Sequence, residues 1–144
     1  MSFVERIVFD TSTLVGAMLR PHSVPGLAFL AAMEQGDLCA SPVTLEELGE
    51  VIVRPKFDAY VDRGLRGRFF ERYRYRAAVF AVSATDESNL LQPCRDPQDN
   101  KFLGLARHCR ASLIVSSDKD LLILHPWQGI PILTPAQFLT RSPA

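Results

Sequence analysis

The sequence predicts an α/β fold, with a central parallel sheet of about five strands flanked by helices. Short apolar strands alternate with helical stretches along the chain, the order of parallel βαβ units. "RIVF" and "SLIVS" are continuous apolar runs, as expected of strands covered on both faces. No repeat, low-complexity tract or linker interrupts the pattern. The 144 residues suffice for one domain with a real core and are too few for two ordinary ones, so a single domain over residues 1–144 is expected.

In chain order, strands are expected near residues 6–9, 38–40, 79–82, 112–116 and 130–133. Helices are expected near residues 25–35, 43–54, 65–77, 98–110 and 135–140. Several helices carry boundary signals. "SVPGLAFLAAMEQG" ends at Gly36, a C-cap residue. "SPVTLEELGEVIV" opens with Ser41 as N-cap and Pro42 at the first helical position, and "TPAQFL" repeats the signal with Thr134 and Pro135.

Composition narrows the function classes. With 47% hydrophobic and 22% charged residues the chain has the make-up of a soluble globular protein. No apolar run approaches the roughly 20 residues of a membrane span, and no basic segment followed by a long apolar stretch opens the chain. Cytoplasmic residence without membrane association is the expectation. Cys39, Cys94 and Cys109 share no CxxC spacing, which argues against a disulfide framework or a zinc site. Cys39 and Cys109 read as small core residues. Net charge is zero, against wrapping of nucleic acid by bulk electrostatics. The charge is nonetheless uneven: residues 1–53 hold two basic and seven acidic residues, while residues 54–76 hold eight basic and three acidic.

Four acids stand out. In parallel α/β sheets, ligand sites form beyond the carboxyl ends of the strands. Asp10 follows "RIVF" and Asp118 follows "SLIVSS", which sets both on one sheet edge, as helix caps or as part of a site. In the helix around "TLEELGEVIV", Leu45, Leu48, Val51 and Ile52 define the apolar face. Glu46 and Glu50 lie opposite it, and Glu47 falls on its border, able to enter a cleft or turn to water. In "CRDPQDNKFLGLARHC", Phe102, Leu103 and Ala106 form a buried face that Asp99 shares. Asp96 with Pro97 suits a helix start, and an acid three places on is favoured by the capping box and the helix dipole. Capping accounts for an acid at Asp99 but not for its inward direction.

If the four acids converge, they need protons or a cation. Two like charges 4 Å apart repel by roughly 4 kcal/mol at an effective dielectric near 20. Oxygen-only ligands select a hard ion, Mg²⁺ or Mn²⁺, completed by water and substrate phosphates. Metal-assisted hydrolysis of a phosphodiester is the chemistry such a cluster suits.

The stretches "VFDTSTLVGAML", "SPVTLEELGEVIVRPKF", "CRDPQDNKFLGLA" and "IVSSDKDLL", in this order, resemble the motifs of the PIN-domain family, most closely its bacterial VapC-like toxins of toxin–antitoxin pairs. The resemblance implies a single PIN-like domain acting as a Mg²⁺- or Mn²⁺-dependent endoribonuclease on single-stranded RNA. It implies Asp10, Glu47, Asp99 and Asp118 as the catalytic and metal-binding acids, with Asp120 as a fifth metal candidate. Ser12 and Ser116 fall on hydroxyl positions beside the acids, and Asn100 follows Asp99 in a supporting role. Asp96 competes with Asp99 for the metal-facing position. A homodimer and a small antitoxin protein, whose tail would occlude the acidic cleft, are also implied.

"RGLRGRFFERYRYRAA" interleaves arginines with aromatic residues. Its expected core face is Leu65, Phe69, Tyr73 and Ala77, and Arg68 and Arg72 are candidates for RNA or antitoxin contact. His22 and Arg20 are expected in a surface loop, and Trp127 against the last strand. A non-catalytic PIN-like module binding RNA or protein is the main rival, although it would need a broken acidic set. A receiver-like domain phosphorylated on aspartate leaves Glu47 and Asp99 without a role. A haloacid-dehalogenase phosphatase expects Asp where Ser12 stands.

Overall fold

Alternate residues of a strand point to opposite faces of a sheet, so strands apolar at every position need cover on both sides. The computed structural model, which describes residues 4–83, 86, 90 and 92–141, meets that need with two separate cores. Ile7 and Phe9 of β1 (Glu5–Phe9) join Leu38 and Ala40 of β2 (Gly36–Ala40) and Val115 of β4 (Leu113–Val115) in one core. Val8, Cys39 and Ile114, from the same strands, enter the other.

The sheet has five parallel strands in the order β3-β2-β1-β4-β5, with β3 at Ala78–Val79 and β5 at Ile132–Leu133. All five expected strands are present. The first face is covered by α1 (Thr11–Leu19), α2 (Val24–Gln35), α3 (Pro42–Ile52), α4 (Arg63–Arg76) and α7 (Pro135–Thr140). The second is covered by α5 (Asn100–His108), the short α6 (Lys119–Leu122) and Trp127, which is fully buried. Trp127 donates its indole N–H to the Gln92 carbonyl at 2.7 Å and pairs with Ile130 just before β5. Cys39 and Cys109 are buried and free, as expected of core thiols, and Cys94 is buried and free as well.

The capping signals behave as their chemistry requires. Ser41 accepts the Thr44 N–H, and Thr44 returns a bond to the Ser41 N–H at 2.9 Å, closing a box at the start of α3. Thr134 and Gln137 do the same for α7. Gly36 ends α2, but its backbone is extended rather than left-handed. A Cβ there would stand 2.5 Å from the Glu5 carbonyl, so glycine is needed for close approach of β2 to β1.

The structure departs from expectation at several places, among them the short α6, which lies outside the expected helices. Helix α1 was not expected from periodicity, because "TSTLVGAML" is buried almost all round and lacks an amphipathic stripe. The helix expected over 98–110 opens instead with a 3₁₀ turn, Pro97–Asp99, before α5. In α4 the expected core residue Leu65 is 54% exposed, while the neighbouring Arg66 is 1% exposed. The inner face of α4 is Arg66, Phe69, Phe70 and Tyr73, with Ala77 packed just beyond its end. Arg66 can be buried because its guanidinium donates to the Ile52 carbonyl at 2.8 Å, the Arg54 carbonyl at 3.2 Å and Asp58 at 2.5 Å. Those bonds satisfy the carboxyl end of α3 and set the rotation of α4.

Arg66→Met should therefore lose about 1–3 kcal/mol of stability in urea unfolding, because buried carbonyls lose their donor. Arg68→Met, at an exposed position of the same helix, should change it by less than about 0.5 kcal/mol.

Candidate active site

Strand order reverses at β1, which has β2 on one side and β4 on the other, so a crevice opens at the carboxyl ends of β1 and β4. The register pairs Phe9 with Val115, which brings the next residues, Asp10 and Ser116, face to face. Ser116 is fully buried and donates its hydroxyl to Asp10 Oδ2 at 2.5 Å. Asp10, 3% exposed, also accepts the Thr13 N–H on Oδ1 at 3.0 Å, which caps α1, and the Ser12 hydroxyl on Oδ2 at 3.4 Å. Asp10 is thus both cap and cleft wall. Burial pushes its carboxyl above the ordinary range, and the bonds from Ser116 and Thr13 pull it part of the way back.

Asp118 caps α6 through the Asp120 N–H at 2.9 Å, while its own N–H donates to Ser116 Oγ at 2.9 Å. One serine hydroxyl therefore links the two strand-end acids. Asp99 closes the set from the end of the 3₁₀ turn that leads into α5. Its side chain makes no capping hydrogen bond, and it lines the same cleft as Asp10 and Asp118. Partial burial, and then the neighbouring Asp118 carboxyl, push Asp99 up to about 7. Asp96 is exposed and caps the 3₁₀ turn through the Gln98 N–H at 3.0 Å, so Asp99 rather than Asp96 faces the cleft.

Glu47 also faces the cleft, from α3, while Glu46 and Glu50 are exposed as expected. Thr11 donates its hydroxyl to Glu47 Oε1 at 2.5 Å, and Lys101, from the first turn of α5, forms an ion pair with Oε2. Asn100 accepts the Cys94 N–H at 2.6 Å and so pins the segment that leads into the Asp99 turn. Asp120 does not line the cleft; its carbonyl accepts the Cys94 thiol. Arg68 and Arg72 lie on α4 along a different recess, and His22 is exposed in the loop before α2.

The cleft has a volume of about 320 Å³. Sequence reasoning missed Thr11, Lys101, Arg54 and Lys56. Arg54 and Lys56 line the rim, and their position in the basic segment from residue 54 was the available signal. Thr11 and Lys101 gave none, since only the tertiary fold brings them to Glu47. Among the described residues, no group of three or more acid, histidine or cysteine side chains stands close enough to hold a metal ion together. The arrangement is an open wall of carboxylates. That suits an ion held by one or two carboxylates and completed by water or phosphate oxygens, the usual manner of Mg²⁺.

A three-layer parallel sheet with carboxylates gathered at its switch point defines the class of acid-walled α/β domains. The chain belongs to the PIN-domain family, whose PIN domain it matches over residues 6–120. PIN domains are typically nucleases and usually need divalent metals. The chain is 31% identical over 121 residues to MJ1680, an uncharacterised protein of Methanocaldococcus jannaschii, covering 83% of this chain and 74% of that one. PAE2754 from Pyrobaculum aerophilum has a similar fold, with a TM-score of 0.59, 18% identity and 90% of each chain covered. VapBC2 from Rickettsia felis, bound to a DNA fragment from its promoter, gives a TM-score of 0.61 at 11% identity, with 90% of this chain and 98% of that one covered. Family membership sets the receiver-like reading aside. Among the described residues no helix is long and apolar enough to cross a membrane.

The elevated Asp99 carboxyl has a consequence for stability. Unfolded, Asp99 loses its proton near the ordinary value of about 4; folded, it does so near 7. Between those values the folded chain binds the extra proton, so this group lowers stability as pH rises from about 4 to 7. In EDTA, Asp99→Asn should remove that decline, and urea unfolding at pH 4.5 and 7.5 would show the variant gaining on the wild type. Solvent in the open cleft should keep the effect well below the roughly 1.4 kcal/mol per pH unit of a fully shielded group.

Proposed function

We propose that this protein is a Mg²⁺- or Mn²⁺-dependent endoribonuclease that hydrolyses phosphodiester bonds of single-stranded RNA, and that it is the toxin of a toxin–antitoxin pair. The observation that carries the activity is Asp99. It stands beside Asp118 and across from Asp10 at the switch point, with no capping bond to account for it. Three carboxylates on one wall, with one already raised to about 7 by burial and its neighbour, form a site that gains from a cation.

The donors fit a hard ion, since all are carboxylate oxygens; Asp10, Asp99 and Asp118 offer the wall from which one or two carboxylates would hold it, while Asp120, two residues beyond Asp118, lies outside the cleft lining. When bound, the ion supplies charge neutralisation and Lewis acidity toward a phosphodiester and its attacking water. The chain's own residues do the rest. Ser116, Ser12 and the Thr13 N–H fix Asp10 in one orientation. Lys101 and Thr11 hold Glu47 against the cleft wall. Arg54 and Lys56 at the rim offer cations to the phosphates on either side of the cut.

The partners belong to the same proposal: a small antitoxin protein that occludes the acidic cleft, a second copy of the chain in a homodimer, and a cytoplasmic setting. The Rickettsia felis VapBC2 pair, which shares the fold, supports the antitoxin. A non-catalytic binding module is favoured by one observation, the Lys101–Glu47 ion pair, which already neutralises one of the four acids.

Cleavage of a fluorescent single-stranded RNA should occur with Mn²⁺ or Mg²⁺ and stop in EDTA or in a folded Asp10→Asn variant. Absence of cutting by the wild type, with no thermal stabilisation by Mn²⁺, would leave the binding module. Ser116→Ala should fold and weaken Mn²⁺ stabilisation by roughly 10- to 100-fold in apparent affinity, since it frees a ligand from the side chain that orients it. Light scattering at high concentration should give the mass of a dimer; a strict monomer would remove that partner.

A further inference from the structure

Three recesses run one into the next along a single side of the molecule. The acidic cleft shares Lys56 and Phe57 with a second recess, about 470 Å³, between α1 and the 3₁₀ turn Pro55–Phe57. The second shares Leu19 and Tyr60 with a third, also about 470 Å³, that ends on α4 at Arg68 and Arg72. Cations mark the whole course: Arg54 and Lys56 at the cleft, Arg20 in the second recess, then Arg68 and Arg72.

Among the described residues, none of these five has a carboxylate partner. Elsewhere in the basic segment Arg63 and Arg66 bind Asp58 and Arg74 binds Glu71, while Arg76, at the far end of α4, lines a separate recess beside Asp37. The lone acid among the residues lining the outer two recesses, Asp62, is already used in capping α4 through the Gly64 N–H. Within the basic segment, four of the cations without a carboxylate partner, Arg54, Lys56, Arg68 and Arg72, line the connected recesses. At the junction of the second and third stands Tyr60, a residue 74% exposed to solvent.

We infer that the recesses form a track for one arm of a single-stranded RNA whose scissile phosphate sits in the acidic cleft, with Tyr60 stacking a base and Arg20, Lys56 and Arg72 binding phosphates. An exposed aromatic face between cations is the means by which single strands are bound without reading their sequence. The apolar floor of the third recess, with Leu19, Phe29 and Phe69, accepts unstacked bases while its arginine edge meets the backbone. Duplex RNA keeps its bases stacked and gains nothing from Tyr60. The inference rests on the nuclease proposal only for the scissile phosphate in the cleft.

Fluorescence anisotropy with 4-, 8- and 16-nucleotide single-stranded RNAs in EDTA tests the track without cutting. For the wild type, affinity should rise with length. Tyr60→Ala should weaken the 16-mer by roughly 5- to 100-fold, the range expected for one lost stacked base, and leave duplex affinity unchanged. Arg20→Gln and Arg72→Gln should each lower the slope of log affinity against log salt by about 0.7. Circular dichroism checks folding, and Tyr75→Ala, an exposed tyrosine on α4 away from the recesses, should bind as wild type. Unchanged affinity and slope in all three track variants, or an equal loss in Tyr75→Ala, would overturn the track and leave the groove to a protein partner. Mn²⁺-dependent cleavage, measured in parallel, separates the two proposals. Cutting with unaltered binding in the variants rejects the track alone, while impaired binding without any cutting rejects the nuclease alone.

Discussion

A carboxylate buried where two parallel strands end must be held by hydrogen bonds, and the hydroxyl of Ser116 on Asp10 is the contact on which the cleft depends. The bond exists because the register of β1 on β4 sets these residues side by side. The same Ser116 oxygen accepts the N–H of Asp118, so the two strand ends are tied through one atom. Asp10 in turn starts α1, which presents Thr11 to Glu47. Sheet register, helix start and the direction of two further acids follow from one pairing.

The cleft is built against local stability. Asp10 is desolvated, Asp99 is crowded by Asp118, and Glu47 needs both Thr11 and Lys101 to remain beside the core. Sheet and helices supply the rigidity that keeps these groups from separating, with apolar cores on both faces. Such a distribution, with firm layers and a strained edge, is common where a site has to exert a field on something else.

Most of the fold was legible because both-face burial makes parallel strands nearly all apolar, and because Ser41–Pro42 and Thr134–Pro135 mark helix starts chemically. Helix α1 gave no periodicity for the same reason the strands were visible: buried almost all round, "TSTLVGAML" has no polar face, and only Asp10 as a candidate cap pointed to it. Leu65 and Arg66 exchanged roles because a guanidinium can satisfy several carbonyls at once, which hydrophobicity patterns do not register. At the site, strand ends and helix faces singled out Asp10, Glu47, Asp99 and Asp118, all of which line the cleft. Geometry alone separated Asp99 from Asp96, since both suit the start of a helix and only coordinates show which one caps. Lys101 was silent, because its partner lies 54 positions away along the chain.

Arg66 makes the rim of the cleft and helix α4 a single mechanical body. Its guanidinium grips the carbonyls of Ile52 and Arg54 from inside α4, and Asp58 bridges it to Arg63 on the surface. The segment bearing Arg54, Lys56 and Phe57 is therefore fastened at both ends to a helix whose outer side is open to solvent. Any load borne by that outer side, from whatever settles on it, is transmitted to the mouth of the cleft through two hydrogen bonds and an ion pair rather than through a flexible loop.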